Sequence, residues 1–130
     1  MSQTYEYYVN LWLEGVSMQS GVDYGNPNSV KRYNKGSDLF RKAATAIGKH
    51  YPERVPEFAE LMINEDEKIR LLAAISVAEY MPHTREQLEA IIEIVKRHMD
   101  DPDCIEPRSG WGWWLKQPWA QEKNCIDFPD

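Results

Sequence analysis

Histidine and cysteine have the widest range of chemistry in this sequence, and their spacing decides whether that chemistry is available. None of His50, His83 and His98 belongs to an HxxxH or HExxH pattern, and no CxxC pair occurs. Metal sites built from these residues need such ligand spacing. The chain also lacks a GxSxG nucleophile motif and a glycine-rich phosphate loop. We therefore expect a protein that is not an enzyme and that uses no metal ion and no cofactor.

Acidic side chains are unevenly distributed, which makes them the more informative charged groups. The 130 residues carry a net charge of −6, which argues against a general nucleic-acid binder. Residues 28–50 contain six Lys/Arg and one acid, whereas residues 51–107 contain six Lys/Arg and fourteen acids. A clustered acidic surface would attract a basic protein and accelerate its association, and a solvated helix surface is the alternative. The candidate contacts are Glu57, Glu60, Glu65, Glu67, Asp100, Asp101 and Asp103.

Four tryptophans fall within nine residues near the end of the chain: Trp111, Trp113, Trp114 and Trp119. They either pack over one end of the core or stay exposed as aromatic anchors of an interface. Residues 113 and 114 are adjacent and cannot face the same way on a helix, so we expect at least one to be accessible or covered by another segment. One short helix is expected around residues 111–116, with the rest of the tail irregular.

Hydrophobic periodicity predicts helices along most of the chain and no strand. The predicted helices have approximate bounds 5–20, 27–51, 55–62, 65–81 and 84–99. Asn26 before Pro27 is typical of a helix start, and Thr84 with Gln87 forms a capping box. Gly36 lies inside the stripe of the second helix and would allow a bend or a break. The fourth helix is apolar on nearly every side, so we expect it to be central.

The segment NEDEKIRLLAA, residues 64–74, contains the most specific local pattern. Asn64 with Glu67 is typical of a capping pair at a helix start, and the Ala-Ala step allows close approach of a neighbouring helix. The segment resembles the inner-helix signature of HEAT-type repeats, and the matching residues are Asp66, Ile69, Arg70, Ala73 and Ala74. The resemblance implies that residues 53–81 form a helical hairpin whose matching acid and arginine brace the turn.

The wider layout also resembles a family of small bacterial HEAT-like domains of unknown function. Residues 28–40, NSVKRYNKGSDLF, fit the family's long helix, and residues 113–115 loosely fit its closing Leu/Trp helix. The tail departs from the family by having more tryptophan and proline. The expected fold is all-α, with five to six helices packed as HEAT-like hairpins. Residues 1–130 would form a single domain, comprising a helical stack (1–100) and a Trp/Pro-rich segment (101–130) packed on it.

The location of the protein is expected to be cytoplasmic. The first ten residues, MSQTYEYYVN, lack the basic and apolar regions of a secretory signal. No run approaches the ~18 apolar residues that would span a membrane. Cys104 and Cys125 would permit one disulfide, but reduced cysteines are expected in that compartment.

Small acidic helical proteins of this kind resemble immunity proteins of bacterial toxin–immunity systems. The resemblance implies tight binding to a cognate basic toxin, in particular a nuclease, with acidic side chains in place of substrate phosphates. The expected partner is therefore a protein, without nucleic acid or membrane, bound by a monomer or homodimer. The second hypothesis is a scaffold or regulatory adaptor, with a homo-oligomer as one version of it. A small enzyme with a Trp-lined pocket is the third, and carboxylates clustered in such a pocket would favour it.

Overall fold

The computed structural model describes residues 3–19, 23–104 and 108–126, which form six α-helices and four short 3₁₀ segments. The α-helices are α1 (Tyr5–Ser17), α2 (Pro27–His50), α3 (Val55–Phe58), α4 (Glu67–Tyr80), α5 (Arg85–Asp100) and α6 (Arg108–Leu115). The 3₁₀ segments are Pro52–Arg54, Ala59–Ile63, Pro118–Ala120 and Glu122–Asn124. These ranges contain no strand, which confirms the all-α prediction. No helix within them is long and apolar enough to cross a membrane.

Two predicted helix starts are confirmed by their hydrogen bonds. The Asn26 side chain accepts from the Asn28 backbone N–H, and Pro27 is the first residue of α2. The capping box of α5 is complete, because Thr84 Oγ1 accepts from Gln87 N and Gln87 Oε1 accepts from Thr84 N. Both caps satisfy backbone N–H groups at a helix start that have no partner inside the helix.

The predicted capping pair of Asn64 and Glu67 is wrong. Asp66 caps α4 instead, with Oδ1 accepting from the backbone N–H groups of Lys68 and Ile69. The Asn64 side chain accepts from the Asp66 backbone N–H and so orders the turn before the helix. An aspartate that already accepts two N–H groups leaves no N-cap role for the asparagine two residues earlier.

Helices α1 and α2 cross at two glycines. A Cβ at Gly15 would lie 2.6 Å from the Gly36 carbonyl oxygen, and a Cβ at Gly36 would lie 2.5 Å from the Gly15 carbonyl oxygen. Real Cβ atoms do not approach backbone oxygen so closely. Helix α2 continues through Gly36 from Pro27 to His50, so the break allowed there does not occur. The glycine weakens the helix locally and permits the close crossing.

Helix α4 is central, as predicted, since it contacts α1, α2, α5 and the segments Ala59–Ile63 and Pro118–Ala120. Ala73, Ala74 and Val77 are fully buried on its inner side. Its buried hydroxyl, Ser76 Oγ, accepts from Trp12 Nε1 at 3.0 Å. The Trp12 ring is fully buried against Phe58 and Phe40, which joins α1, α2 and α3 in one core. This hydrogen bond satisfies both polar groups that the core would otherwise isolate.

The third helix and the tail differ from their predicted bounds. A single helix was expected over 55–62, but α3 has four residues between two 3₁₀ segments, in a stretch that holds two prolines without backbone N–H groups. Helix α6 begins at Arg108 rather than near residue 111, and two 3₁₀ segments follow where irregular chain was expected. The expected end of the first helix near residue 20 lies outside the described residues, and α1 itself ends at Ser17.

Replacing Gly36 with Ala tests the α1–α2 crossing. The new methyl group must displace the Gly15 carbonyl, and we expect a loss of about 1–3 kcal/mol in the free energy of unfolding, as in other overpacked sites. Gly112→Ala is the matched control, because no atom lies within 4 Å of its added Cβ in α6. There the better helix propensity of alanine should raise stability by up to ~1 kcal/mol. Urea unfolding followed by circular dichroism compares them, and equal effects would contradict the crossing.

Candidate protein-binding site

A groove runs between α5, the first turns of α4 and the Ala59–Ile63 segment, with a volume of about 700 Å³; we call it the α4–α5 groove. Its apolar lining consists of Ala59, Met62, Ile63, Leu71, Ala90 and Ile94. Its charged lining consists of Glu67, Arg70, Glu86, Glu93, Arg97 and Asp101. Gln87 and His98 complete it. The groove therefore combines apolar side chains with a charged rim, the composition of protein recognition sites.

An adjoining cavity of about 630 Å³ shares Glu67, Leu71, His98 and Asp101 with the groove. It extends the groove around the N-terminal end of α4 towards Tyr24 and Asp103 and has Asp66 and Lys68 in its wall. The two volumes are thus adjacent, and the shared acids, Glu67 and Asp101, border both.

The rim of the α4–α5 groove has an acidic excess once internal pairs are removed. Arg97 Nη2 donates to Glu93 Oε1 at 2.6 Å, so the charges of this pair cancel.

Arg70 Nη1 donates to the carbonyl oxygens of Asn64 and Glu65, at 2.8 and 2.9 Å. These bonds confirm the predicted brace of the turn before α4.

The rim charges outside any ion pair are three carboxylates and one guanidinium. Within residues 3–19, 23–104 and 108–126, Glu67, Glu86, Asp101 and Arg70 make no ion pair. Asp101 Oδ1 accepts from the Asp103 backbone N–H, at 2.8 Å. The rim therefore keeps a net negative charge around an apolar floor, which would favour a cationic partner.

The seven acids predicted from the sequence do not form one surface. Glu67 and Asp101 line the α4–α5 groove, and Asp103 lines the adjoining cavity. Glu57 and Glu60 lie in a separate recess beside α1. The side chains of the other two, Glu65 and Asp100, line neither volume.

Two of these acids are paired within the chain. Asp100 Oδ1 accepts from Arg108 Nη1 at 2.7 Å, which ties the start of α6 to the end of α5. Glu57 Oε2 accepts from Arg54 Nε at 2.6 Å, while Arg54 also reaches Glu6 at 3.2 Å. Their structural use leaves Glu67, Asp101 and Asp103 as the acids that the fold brings together beside the groove.

The tryptophans are divided between core and surface. Rings of His98, Trp111, Trp114, Trp119 and Trp113 form a chain of contacts, with successive centroids 5.3, 6.2, 6.1 and 6.1 Å apart. Trp114 is 6 % exposed, Trp111 and Trp119 are half-buried, and Trp113 is 60 % exposed. The expectation that at least one of residues 113 and 114 would be accessible or covered by another segment is confirmed, because Trp113 is exposed. Because His98 also lines the groove, the ring series begins at the groove wall.

Trp114 is fixed by a bond to the central helix. Its Nε1 donates to Glu79 Oε2 of α4 at 3.1 Å. The ring packs with Ala120 in the main core, so the tail contributes to the hydrophobic core. Because Trp114 is buried by these contacts, Trp113 is the exposed tryptophan of the cluster.

The basic residues of α2 lie outside the ion pairs of the described residues. No ion pair there includes an α2 cation. Lys31, Lys35, Lys42 and Lys49 are exposed, and their spacing puts them on one side of the helix. The buried residues of α2, such as Phe40 and Ile47, lie on the opposite side. The outer face of α2 is therefore a cationic surface.

Sequence reasoning missed the apolar residues that border the groove. Ile63 is 84 % exposed and Tyr24 is 76 % exposed, although both are large hydrophobic residues. A signal existed for Ile63, because it directly follows Met62 and both cannot face one core. Ile94 carried a similar signal, since it lies outside the apolar stripe of α5.

The described residues contain no group of three or more His, Cys, Asp or Glu side chains able to hold a metal ion. His83 is buried in the turn between α4 and α5, where its Nδ1 lies 3.0 Å from the Met81 carbonyl oxygen. Comparisons with protein-family models, curated proteins and solved structures give no significant match. The geometry of the groove is therefore the basis for assigning a role.

The recess beside α1 has one strongly perturbed group, the Tyr5 phenol. The Arg54 guanidinium carbon lies 4.1 Å from the centre of the Tyr5 ring. Burial, reinforced by the negative charge of Glu57 and opposed by Arg54, raises the pKa of Tyr5 to about 12. The neutral phenol is thus favoured in the folded state.

Tyr5 should make the fold sensitive to alkaline pH. Its pKa is about 12 when folded and 10 when unperturbed, so its contribution is full below pH 10 and is lost as pH rises towards 12. We expect Tyr5→Phe to reduce the decline of the urea midpoint over this interval. Tyr7→Phe is the control, because Tyr7 is 46 % exposed. Parallel profiles for the wild type and Tyr5→Phe would contradict the assignment.

Proposed function

We propose that this protein is a non-catalytic binding domain whose α4–α5 groove receives a basic protein. In its most specific form, the proposal is an immunity protein that acts in the cytoplasm and neutralises a cognate basic bacterial toxin, in particular a nuclease. The observation that carries it is the net negative rim of one apolar groove, where Glu67, Glu86 and Asp101 make no ion pair among the described residues. The HEAT-like resemblance of residues 53–81 remains part of this proposal.

The apolar lining supports tight binding rather than transient contact. Met62 is nearly buried in the groove, while Ile63 is 84 % exposed at its edge. A partner that covers Ile63, Leu71 and Ile94 would remove their apolar surface from water, at about 25 cal/mol per Å² before the costs of association. Buried apolar contacts of this kind mainly slow dissociation.

The carboxylates support recognition of a cationic surface. Glu67, Glu86 and Asp101 would accelerate encounter with a basic protein, and the effect would weaken as salt screens the charges. A nuclease binds substrate phosphates through cationic groups, so carboxylates could occupy the same groups and block access. The exposed Trp113, connected to the groove wall through the ring series, is a further anchor of a type common in interfaces.

The adaptor hypothesis has one observation in its favour. The α4–α5 groove is acidic, whereas the outer face of α2 presents Lys31, Lys35, Lys42 and Lys49 without ion pairs among the described residues. Two surfaces of opposite charge on one small domain would suit an adaptor that binds two different proteins. The Trp-lined enzyme pocket is less well supported, since neither the groove nor the adjoining cavity has a tryptophan in its wall.

Capture and neutralisation together test the immunity proposal. The tagged protein is used to recover partners from a lysate of its host, with elution at high salt and identification by mass spectrometry. We expect one basic protein in stoichiometric amount, toxic when produced alone and harmless when co-produced with this chain. Several unrelated partners would favour the adaptor, and the absence of any partner would contradict a protein-binding function.

Charge-neutralising variants test the groove itself. We expect Glu67→Gln combined with Asp101→Asn to slow association of the captured partner several-fold and to flatten its dependence on ionic strength. Glu14→Gln combined with Glu53→Gln is the matched control, because both acids are exposed and line neither the groove nor the adjoining cavity. Stopped-flow or surface-based kinetics measures both pairs. Equal rates for the two double variants would remove the electrostatic part of the proposal.

A further inference from the structure

The length and walls of the α4–α5 groove restrict what can occupy it. Its lining follows α5 from Glu86 to Asp101, a separation of fifteen residues that corresponds to about 22 Å at 1.5 Å per residue. The facing wall is formed by the 3₁₀ segment Ala59–Ile63 and the first turns of α4. The α4–α5 groove is therefore bordered by helical segments and is as long as a helix of about four turns.

The backbone of the walls cannot pair with an extended peptide. The groove residues of α4 and α5 lie within helices, where their N–H and C=O groups bond to one another. An extended segment laid on the apolar floor would lose water from its own polar groups without gaining partners, at a cost for each group. A helix satisfies its backbone internally, so it can bury side chains there without that cost.

The side chains that line the α4–α5 groove determine which residues such a helix would need on the face that contacts it. Ala59 and Ala90 are small enough to admit close approach, and Leu71 and Ile94 provide apolar contacts between the walls. Ridges of apolar residues at three- and four-residue spacing fit between helices packed in this way. The carboxylates of Glu67 and Asp101 lie at one end of the α4–α5 groove, and Glu86 lies at the other. Cations that flank the apolar face of a bound helix would therefore meet acids at both ends of the groove.

We propose that the α4–α5 groove binds a basic amphipathic α-helix of about four turns, contributed by the partner protein. Its apolar face packs on Ile63, Leu71 and Ile94, and its Lys or Arg residues lie beside Glu67, Glu86 and Asp101. The inference rests on the proposed function only in taking this groove to be the protein-binding site, and it holds for a toxin and for any other partner that an adaptor would bind.

A synthetic peptide provides the probe. Isotope-labelled full-length protein is titrated with a 15-residue peptide that carries Leu at helical spacing and Lys at the flanking positions. We expect amide shift changes confined to residues 59–63, 67–71 and 86–101, together with a gain of helical circular dichroism. A peptide of the same composition with the Leu positions scrambled should bind about ten-fold more weakly, and one with Glu in place of Lys should bind at least as poorly.

Ile63→Ser distinguishes groove binding from general attraction between opposite charges. Ile63 is 84 % exposed, so the variant should fold normally and bind the peptide about ten-fold more weakly. Tyr7→Ser, at a residue 46 % exposed outside the groove, is the control and should bind as the wild type does. Equal binding of the scrambled peptide, shift changes centred on α2 or the tail, or no loss in Ile63→Ser would each overturn the proposal.

The captured partner separates this inference from the proposed function. A partner that binds the wild type and loses affinity with Ile63→Ser, through a segment whose amide protection is helical, supports both. A partner that is neutralised with unchanged affinity for Ile63→Ser overturns the helix-binding groove and leaves the immunity function in place. A peptide bound in the groove by a protein that recovers no partner supports the helix site and contradicts the immunity function.

Discussion

Close backbone contact at small residues is the constraint on which the rest of the structure depends. Gly15 and Gly36 let α1 and α2 touch through their backbones, and a Cβ at Gly48 would lie 2.0 Å from the Tyr80 carbonyl oxygen at the end of α4. Ala73 and Ala74 are fully buried along the inner side of the same helix. Larger side chains at these positions would push the helices apart, because a packed core has little free volume to absorb them. The central helix is thus fixed from one side by residues that contribute almost no side chain of their own.

Fixing α4 from its inner side determines what its other side can do. Leu71 is only half-buried, although the helix is central, because α5 and the Ala59–Ile63 segment leave the α4–α5 groove beside it. Leu72 is half-buried at the adjoining cavity. The turn before α4 is held by Arg70, whose guanidinium donates to two backbone carbonyls and makes no ion pair with a carboxylate among the described residues. The tight packing on one face of α4 and the open apolar groove on its other face are therefore consequences of the same helix position.

Local signals predicted the helices better than the site because their physical causes act over a few residues. The Asn26 cap and the Thr84–Gln87 box need contacts only two or three residues apart, and both are present. The groove needs Glu67 and Asp101 to meet across 34 positions, which no periodicity encodes. The α4 sequence is apolar on nearly every side, and this pattern predicted a buried helix. Some of the apolar surface of α4 nevertheless lines the α4–α5 groove. Apolar residues away from the main stripes, Ile63 and Ile94, were the sequence signal for that surface.

Polar side chains in the core and beside the groove differ in the contacts that they make. Side chains with catalytic potential are largely committed to structure: Ser76 accepts the Trp12 indole bond, and Arg54 pairs with two glutamates over an aromatic ring. The carboxylates that make no ion pair among the described residues lie on a solvated rim beside the groove, where they would attract a cation. Apolar side chains beside them supply contact area. Charge that guides encounter and apolar surface that delays separation are complementary contributions to one association, and here the fold places both around a single groove.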